Sequence, residues 1–249
     1  MKELDRPRLA RVRVCFGHQS VGQSLVNALA ATPDLGVDVV ETTDHEAFQR
    51  PVFAHFRVGR NGDPWSKCLA FAEMMKRGVG DLVDIAFFKF CYVDITSTTD
   101  VERVFQIYEE TMASLARSYP TVAFLHVTVP LRRVRGGRMG WWRERTGWTG
   151  RERADQRQRH VFNTRLRAAY AQTGRTFDLA AIEATSLDGT PCCFVHRGEP
   201  IPTLVPEYTH DGGHLTQPAA ARAAAQLISR LNTVAACRAV RSGQAMSQH

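Results

Sequence analysis

No apolar run in these 249 residues approaches the roughly 20 consecutive residues that a membrane-spanning helix needs. The first eight residues, Met1 to Arg8, are mostly charged and lead directly into a strand-like segment, so the apolar core of a secretory leader is missing. Together these absences set the expectation of a cytoplasmic protein with no membrane partner. Six cysteines are present, but none form a Cys-x-x-Cys pair. Cys15, Cys68 and Cys91 sit among apolar residues, Cys192 and Cys193 are adjacent, and Cys237 lies in a late helical stretch. That pattern supports neither a zinc site nor a disulfide framework. Internal repeats and low-complexity tracts are also lacking. What remains is ordinary: 44% hydrophobic and 23% charged residues, enough for a single domain over 1–249 with a core of useful size.

Strand-like and helix-like segments alternate along the chain. Val12 to Phe16 alternates and is rich in β-branched residues, Gly17 ends it, and Leu25, Val26 and Leu29 continue at helical spacing. Gly36 to Glu41 reads as a second strand, and residues 44–58 fit no single pattern. Asn61-Gly62 and Asp63-Pro64 mark a turn before a helix over about 65–77. Leu82 to Phe90 is nearly all apolar, as a strand buried on both faces should be. Asp100 caps a helix to Ser118, whose Val101, Val104, Phe105, Tyr108, Met112 and Leu115 share one face. Thr121 to Val129 is a further strand ended by Pro130, with His126 as a core histidine. A helix over about 157–173, a last strand over 176–183 and a final helix over about 217–231 complete the series, with a flexible tail after about 241. Such alternation implies a parallel sheet covered by helices on both sides.

Two short stretches carry the chemistry. In Gly17-His18-Gln19-Ser20 a serine stands where a strand turns into a helix. Its hydroxyl projects from the carboxyl end of the sheet, and its own N–H is one of the unpaired donors of a helix start. The plain alternative is that Ser20 is only a helix cap. Near the other end, Asp211-Gly212-Gly213-His214 places a carboxylate three residues before a histidine, just ahead of the last helix. Serine-dependent acyl transfer needs such a pair: a histidine to take the serine proton and a carboxylate to fix its tautomer. Capping by Asp211 and Thr216 is the plain alternative. His210, Asp211 and His214 also have metal-ligating side chains, but no distant third ligand can be identified.

Taken together, the two ends resemble the first and last blocks of the SGNH (GDSL-like) hydrolases, in which the nucleophile elbow comes first and Asp-x-x-His last. The resemblance spans about residues 10–231 and implies a three-layer α/β/α, flavodoxin-like fold. It implies Ser20 as nucleophile, His214 as base and Asp211 as its orienting carboxylate, with no cofactor and no metal. Asn61-Gly62-Asp63 matches the second block, which makes the Gly62 N–H an oxyanion donor, with Gly59 in reserve. The third block departs from the pattern: Phe90-Cys91-Tyr92-Val93-Asp94 has no asparagine, and the Tyr92 hydroxyl or the Lys89 charge could stand in its place, with core packing of Tyr92 as the plain alternative. His18-Gln19 likewise replaces the usual aspartate before the serine, which marks a divergent branch.

The positive charge is concentrated in one segment. From Leu131 to His160 ten arginines face only Glu144, Glu152 and Asp155, a local excess equal to the whole formal net charge of +7. Trp141, Trp142 and Trp148 are interleaved with five glycines. Read as a basic loop insertion after a strand, it belongs at the active-site rim. There Arg132, Arg133 and Trp141 suit a small-molecule acyl substrate with an anionic or aromatic part. A solvated insertion is the plain alternative. The basicity is confined to this one loop and no nucleic-acid-binding motif accompanies it, which argues against nucleic acid as partner. The expected activity is therefore that of an esterase working through an acyl-enzyme. An acyltransferase with the same Ser-His-Asp site and a non-catalytic binding protein on the same fold are the alternatives.

Overall fold

The computed structural model describes residues 8–134 and 148–246. The sheet is built around β1 (Arg13–His18), which pairs in parallel with β3 (Val52–Arg57) on one side and β4 (Ile85–Phe88) on the other. Strand β2 (Asp38–Glu41) lies outside β3, and β5 (Ala123–Phe124) lies beyond β4. Strand β6 (His126–Val127) continues the line of β5 after Leu125 and pairs in parallel with β7 (Thr176–Phe177). Leu125 still donates its N–H to Ala86 O, while His126 N–H turns to Arg175 O, so the strand changes partner at that residue. With edge strand β2 set aside, the order β3, β1, β4, β5–β6, β7 is the 2-1-3-4-5 order of flavodoxin-like sheets.

Alternation along the buried strands creates two cores. Val14 and Phe16 of β1 and Ile85 and Phe87 of β4 face one side, where they join Leu25, Leu29, Ala223 and Leu227. These last residues come from α1 (Ser20–Ala30) and α6 (Gln217–Met246). Cys15 of β1 and Ala86 and Phe88 of β4 face the other side. There they meet Phe71 and Met75 of α2 (Pro64–Lys76), Tyr108 and Met112 of α3 (Val101–Ser118), and Phe162 and Leu166 of α4 (Trp148–Tyr170). Successive side chains of a strand point to opposite faces, so one sheet serves both layers. The result is the three-layer α/β/α architecture expected from the alternation. None of the helices among the described residues is long and apolar enough to cross a membrane.

Several boundaries differ from the sequence expectation. The unassigned stretch 44–58 holds a short 3₁₀ turn (His45–Gln49) and β3, which pairs with β1 along its whole length. Only two residues of the expected strand 176–183 are strand. Asp178 then caps the short helix α5 (Leu179–Glu183), its Oδ1 accepting Ala181 N–H at 3.1 Å. Helix α4 starts at Trp148, nine residues earlier than expected, so the basic segment is helical over 148–160. Helix α6 continues to Met246 rather than ending near 231. A hairpin of β8 (Cys193–His196) and β9 (Glu199–Pro202) fills the interval before the Asp-x-x-His stretch. Its turn uses Arg197 and Gly198, both at positive φ. His126 is buried, hydrogen-bonded to the Tyr108 hydroxyl at 2.8 Å and stacked on Tyr170, as a core histidine.

Candidate active site

The chain leaves β1 towards β3 on one side and returns past it to β4 on the other. A crevice therefore opens at the carboxyl end of β1. Ser20 stands there as the first residue of α1. The cap position is Gln19, whose side chain does not cap the helix but donates to Val58 O (3.2 Å) and Gly59 O (2.8 Å). That amide fastens the elbow to the loop after β3. Below it, His18 Nδ1–H donates to Gln19 O at 2.9 Å, so its Nε2 accepts from His55 Nδ1–H at 3.0 Å. Burial drives the His18 pKa down to about 3, opposed by its bond to Gln19 O, and keeps the ring neutral. Gly22 lets α1 pass this close, because a Cβ there would stand 2.3 Å from His18 Cβ. The Ser20 hydroxyl makes no hydrogen bond among the described residues, and Ser20 is the first residue of the helix, not its cap.

The Asp-x-x-His stretch is folded on itself. Asp211 Oδ1 accepts the N–H groups of Gly213 (2.9 Å) and His214 (2.8 Å), and Oδ2 accepts His214 Nδ1–H at 2.5 Å. Partial burial raises the Asp211 pKa, but these bonds outweigh it and hold the carboxyl well below the usual range. With Nδ1 donating to the carboxylate, the lone pair of His214 is on Nε2, the tautomer that a general base requires. The expected capping of this loop by Asp211 is present too, so one carboxylate does both.

Tyr92 brings the strand ends and this loop together. Its ring lies 6.0 Å from the His214 ring, centroid to centroid, and a Cβ on Gly213 would stand 2.8 Å from ring carbons. The Arg132 guanidinium sits 5.1 Å above the Tyr92 ring, and its Nε reaches Gly212 O at 3.4 Å. Arg133 N–H also donates to Gly212 O, at 2.9 Å. Arg133's side chain is exposed, and Trp141 lies outside the described residues.

The second block differs from the sequence expectation. The Gly62 N–H donates to Asp94 Oδ1 at 2.8 Å and is not left for an oxyanion. The cause is a buried network that no motif announced. Asp94 Oδ2 accepts Cys91 N–H (2.6 Å) and Lys67 Nζ (2.5 Å), and both side chains of that ion pair are fully buried. Lys67 also donates to Asn61 Oδ1 at 3.1 Å, which turns the Asn61 amide donors away from it. The Gly59 N–H has no acceptor among the described residues. Gly59 has φ +52°, and a Cβ on it would stand 2.6 Å from Lys67 N, so glycine is required where the loop crosses the start of α2. Lys89 lies inside, fully buried, donating to Phe90 O at 3.2 Å, with its pKa lowered by burial. That position removes Lys89 from the rim. The only clue in the sequence to these groups was charge at otherwise apolar positions: Lys67 beside Cys68 and Phe71, and Lys89 inside a phenylalanine run.

Among the described residues, no group of three or more His, Cys, Asp or Glu side chains is arranged to hold a metal ion.

No protein-family model matches the chain, and no curated protein matches it. Solved structures do. One is a protein from Streptococcus pneumonia provisionally described as a platelet activating factor. It is 16% identical over 89% of this chain and 84% of its own, with a TM-score of 0.53. A second, from Desulfitobacterium hafniense DCB-2, is provisionally described as a lipolytic protein of the G-D-S-L family. It is 6% identical over 88% and 99% of the two chains, with a TM-score of 0.47. A third is the lipase/acylhydrolase from Enterococcus faecalis, 13% identical over 90% and 96%, with a TM-score of 0.43. At such identities the likeness is one of fold.

Proposed function

We propose that the protein is a serine-dependent acyl hydrolase. The observation that carries the reading is the Asp211–His214 pair. Supporting it, the Asp211 bond leaves the Nε2 lone pair of a half-exposed His214 free to take a proton, and the Ser20 hydroxyl at the start of α1 has no hydrogen-bond partner among the described residues. In the proposed reaction Ser20 Oγ attacks the carbonyl carbon of an ester or thioester and His214 Nε2 takes its proton. The imidazolium so formed is stabilised by Asp211 and returns the proton to the leaving group. Water then enters by the reverse sequence, releasing the acid and free Ser20. The negative oxygen of each tetrahedral intermediate needs donors. The Ser20 N–H at the start of α1 is one. The Gly59 N–H and the Asn61 amide, oriented by Lys67, are the candidates for the second, in place of the Gly62 N–H that Asp94 occupies. Tyr92 O–H, beside His214, is the candidate for the third.

The test is labelling by a fluorophosphonate probe, read at Ser20 by peptide mass, alongside turnover of short 4-nitrophenyl esters. Labelling at Ser20 that is lost in Ser20→Ala and His214→Ala, with turnover lost in parallel, is the expected result. Turnover by Ser20→Ala at the wild-type rate overturns the assignment. A folded protein that neither labels nor turns over esters is instead a binding protein on this fold, and repeating the turnover with an alcohol acceptor present separates transfer from hydrolysis.

A further inference from the structure

We propose that the Arg132 guanidinium is a substrate anchor, so that the site takes acyl esters carrying a free carboxylate away from the scissile bond. This rests on the hydrolase reading of the same site and narrows it to a substrate class.

The backbone that carries Arg132 is fixed at every residue. Leu131 N–H donates to Glu183 Oε2 (2.6 Å), Arg132 N–H to Gln156 Oε1 (3.2 Å), Arg133 N–H to Gly212 O (2.9 Å) and Val134 N–H to Thr203 Oγ1 (3.0 Å). Arg132 O accepts from Leu204 N–H and from Thr203 Oγ1. A long flexible side chain thus starts from a rigid root, which lowers the cost of ordering it around a ligand. Its Nε points at Gly212 O and its plane lies over Tyr92, two groups that also contact the segment carrying His214. The two terminal nitrogens have no acceptor among the described residues, and no carboxylate there lies within ion-pair distance. A guanidinium with its terminal fork open is shaped for a carboxylate.

The neighbouring carboxylates are engaged by other groups. Arg159, almost fully buried, donates through Nε to Tyr92 O (2.9 Å) and through Nη1 to Gln156 Oε1 (2.9 Å). Its one acidic neighbour, Asp155, stands 4.0 Å away and accepts Ser97 N–H at 2.6 Å. Glu183 is buried under the same loop, and burial raises its pKa to about 8, so it carries little charge at neutral pH. Asp211 is engaged by His214. Among the described residues Asp155 is thus the carboxylate paired with Arg159, and none is paired with Arg132.

The experiment compares matched esters on the full chain. Mono-4-nitrophenyl glutarate against 4-nitrophenyl butyrate puts the anion on the acyl side, and 3-acetoxybenzoate against phenyl acetate puts it on the leaving group. In Arg132→Gln the anionic-to-neutral ratio of kcat/KM should fall on the order of 10- to 100-fold in one pair, as for a lost charge-assisted pair. The pair that responds identifies the side of the substrate that reaches Arg132. Arg132→Lys should recover part of the ratio, because charge returns without the fork. Equal losses in both members of each pair, or no loss, overturn the anchor and leave the hydrolase reading standing. Glutarate binding, followed by titration calorimetry, is the separate readout should Ser20→Ala retain turnover. Binding lost in Arg132→Gln keeps the anchor without the hydrolase, and binding unchanged removes it.

Discussion

Lys67→Met strands the Asp94 carboxylate inside the protein. Both side chains of the pair are fully buried, 2.5 Å apart, and Asp94 holds the loop after β3 to the loop after β4. Methionine keeps the length of the lysine stem and deletes the ammonium, with its bonds to Asp94 and Asn61. Removing one partner of a buried pair typically costs about 3–5 kcal/mol. Asp94 keeps two backbone N–H donors, from Gly62 and Cys91, so the low end, about 3 kcal/mol, is expected here. In a chain of this length that corresponds to a loss of about 6–12 °C in Tm. Urea unfolding at pH 7 measures it directly. Asp94→Asn added to Lys67→Met should recover a large part of the loss, because no charge remains buried. Turnover should fall in the single variant, since Asn61 loses its tether. A loss below about 1 kcal/mol refutes the reading that this pair is desolvated and joins the two loops.

The other predictions concern the rim and the groups beneath it. Asp211→Asn should lower kcat by about 100- to 10,000-fold with little change in KM, because His214 loses its tautomer control; steady-state kinetics at pH 7 decide it. Tyr92→Phe should lower kcat by about 10- to 1,000-fold if its hydroxyl meets the oxyanion. The same variant should leave Tm unmoved, since that hydroxyl bonds nothing among the described residues, and unchanged kinetics return Tyr92 to a packing role. Glu183→Gln should gain stability relative to the parent as pH rises from 5 to 9. The parent carboxyl, with a folded pKa of about 8, binds its proton more tightly folded than unfolded and loses stability through that window. Chemical denaturation of both proteins across the range, read as their difference so that the histidines cancel, tests the sign.

The sequence made the layers legible because the buried strands wrote themselves as apolar runs and α3 as an amphipathic stripe. It hid β3, because His55 interrupts the run Val52-Phe53-Ala54 and its partner β1 lies 39 residues upstream in register. It hid the helical start of α4, because arginine-rich turns have no apolar stripe until Phe162 and Leu166 meet the core. It overextended the last strand, because Leu179-Ala180-Ala181-Ile182 suits strand or helix, and only the Asp178 cap decides. At the site, residues bound to a local motif were readable. Asp211 and His214 are three apart, and their hydrogen bond is local. The Lys67–Asp94 pair spans 27 residues between the start of α2 and the loop after β4, and no single-chain pattern encodes such a meeting.

Asp94 also links the two departures of this chain from the family pattern it resembles. An asparagine in the third block would offer an amide donor, and the Gly62 N–H would be the second. Here Tyr92 stands in the third block and the Gly62 N–H is satisfied by Asp94. The carboxylate that holds the Gly62 N–H lies two residues after Tyr92, and Lys67 pairs with it in the interior. The same lysine then reaches Asn61 and leaves that amide as the donor group on the loop. In the proposed hydrolase the lost donors are thus exchanged for others on the same two loops, Asn61 or Gly59 for Gly62 and Tyr92 for asparagine. Asp94→Asn alone is the decisive perturbation of this exchange. It frees Lys67 from its partner and loosens the Gly62 N–H. If that variant turned over esters faster than the parent, Asp94 would be blocking the oxyanion site rather than building it.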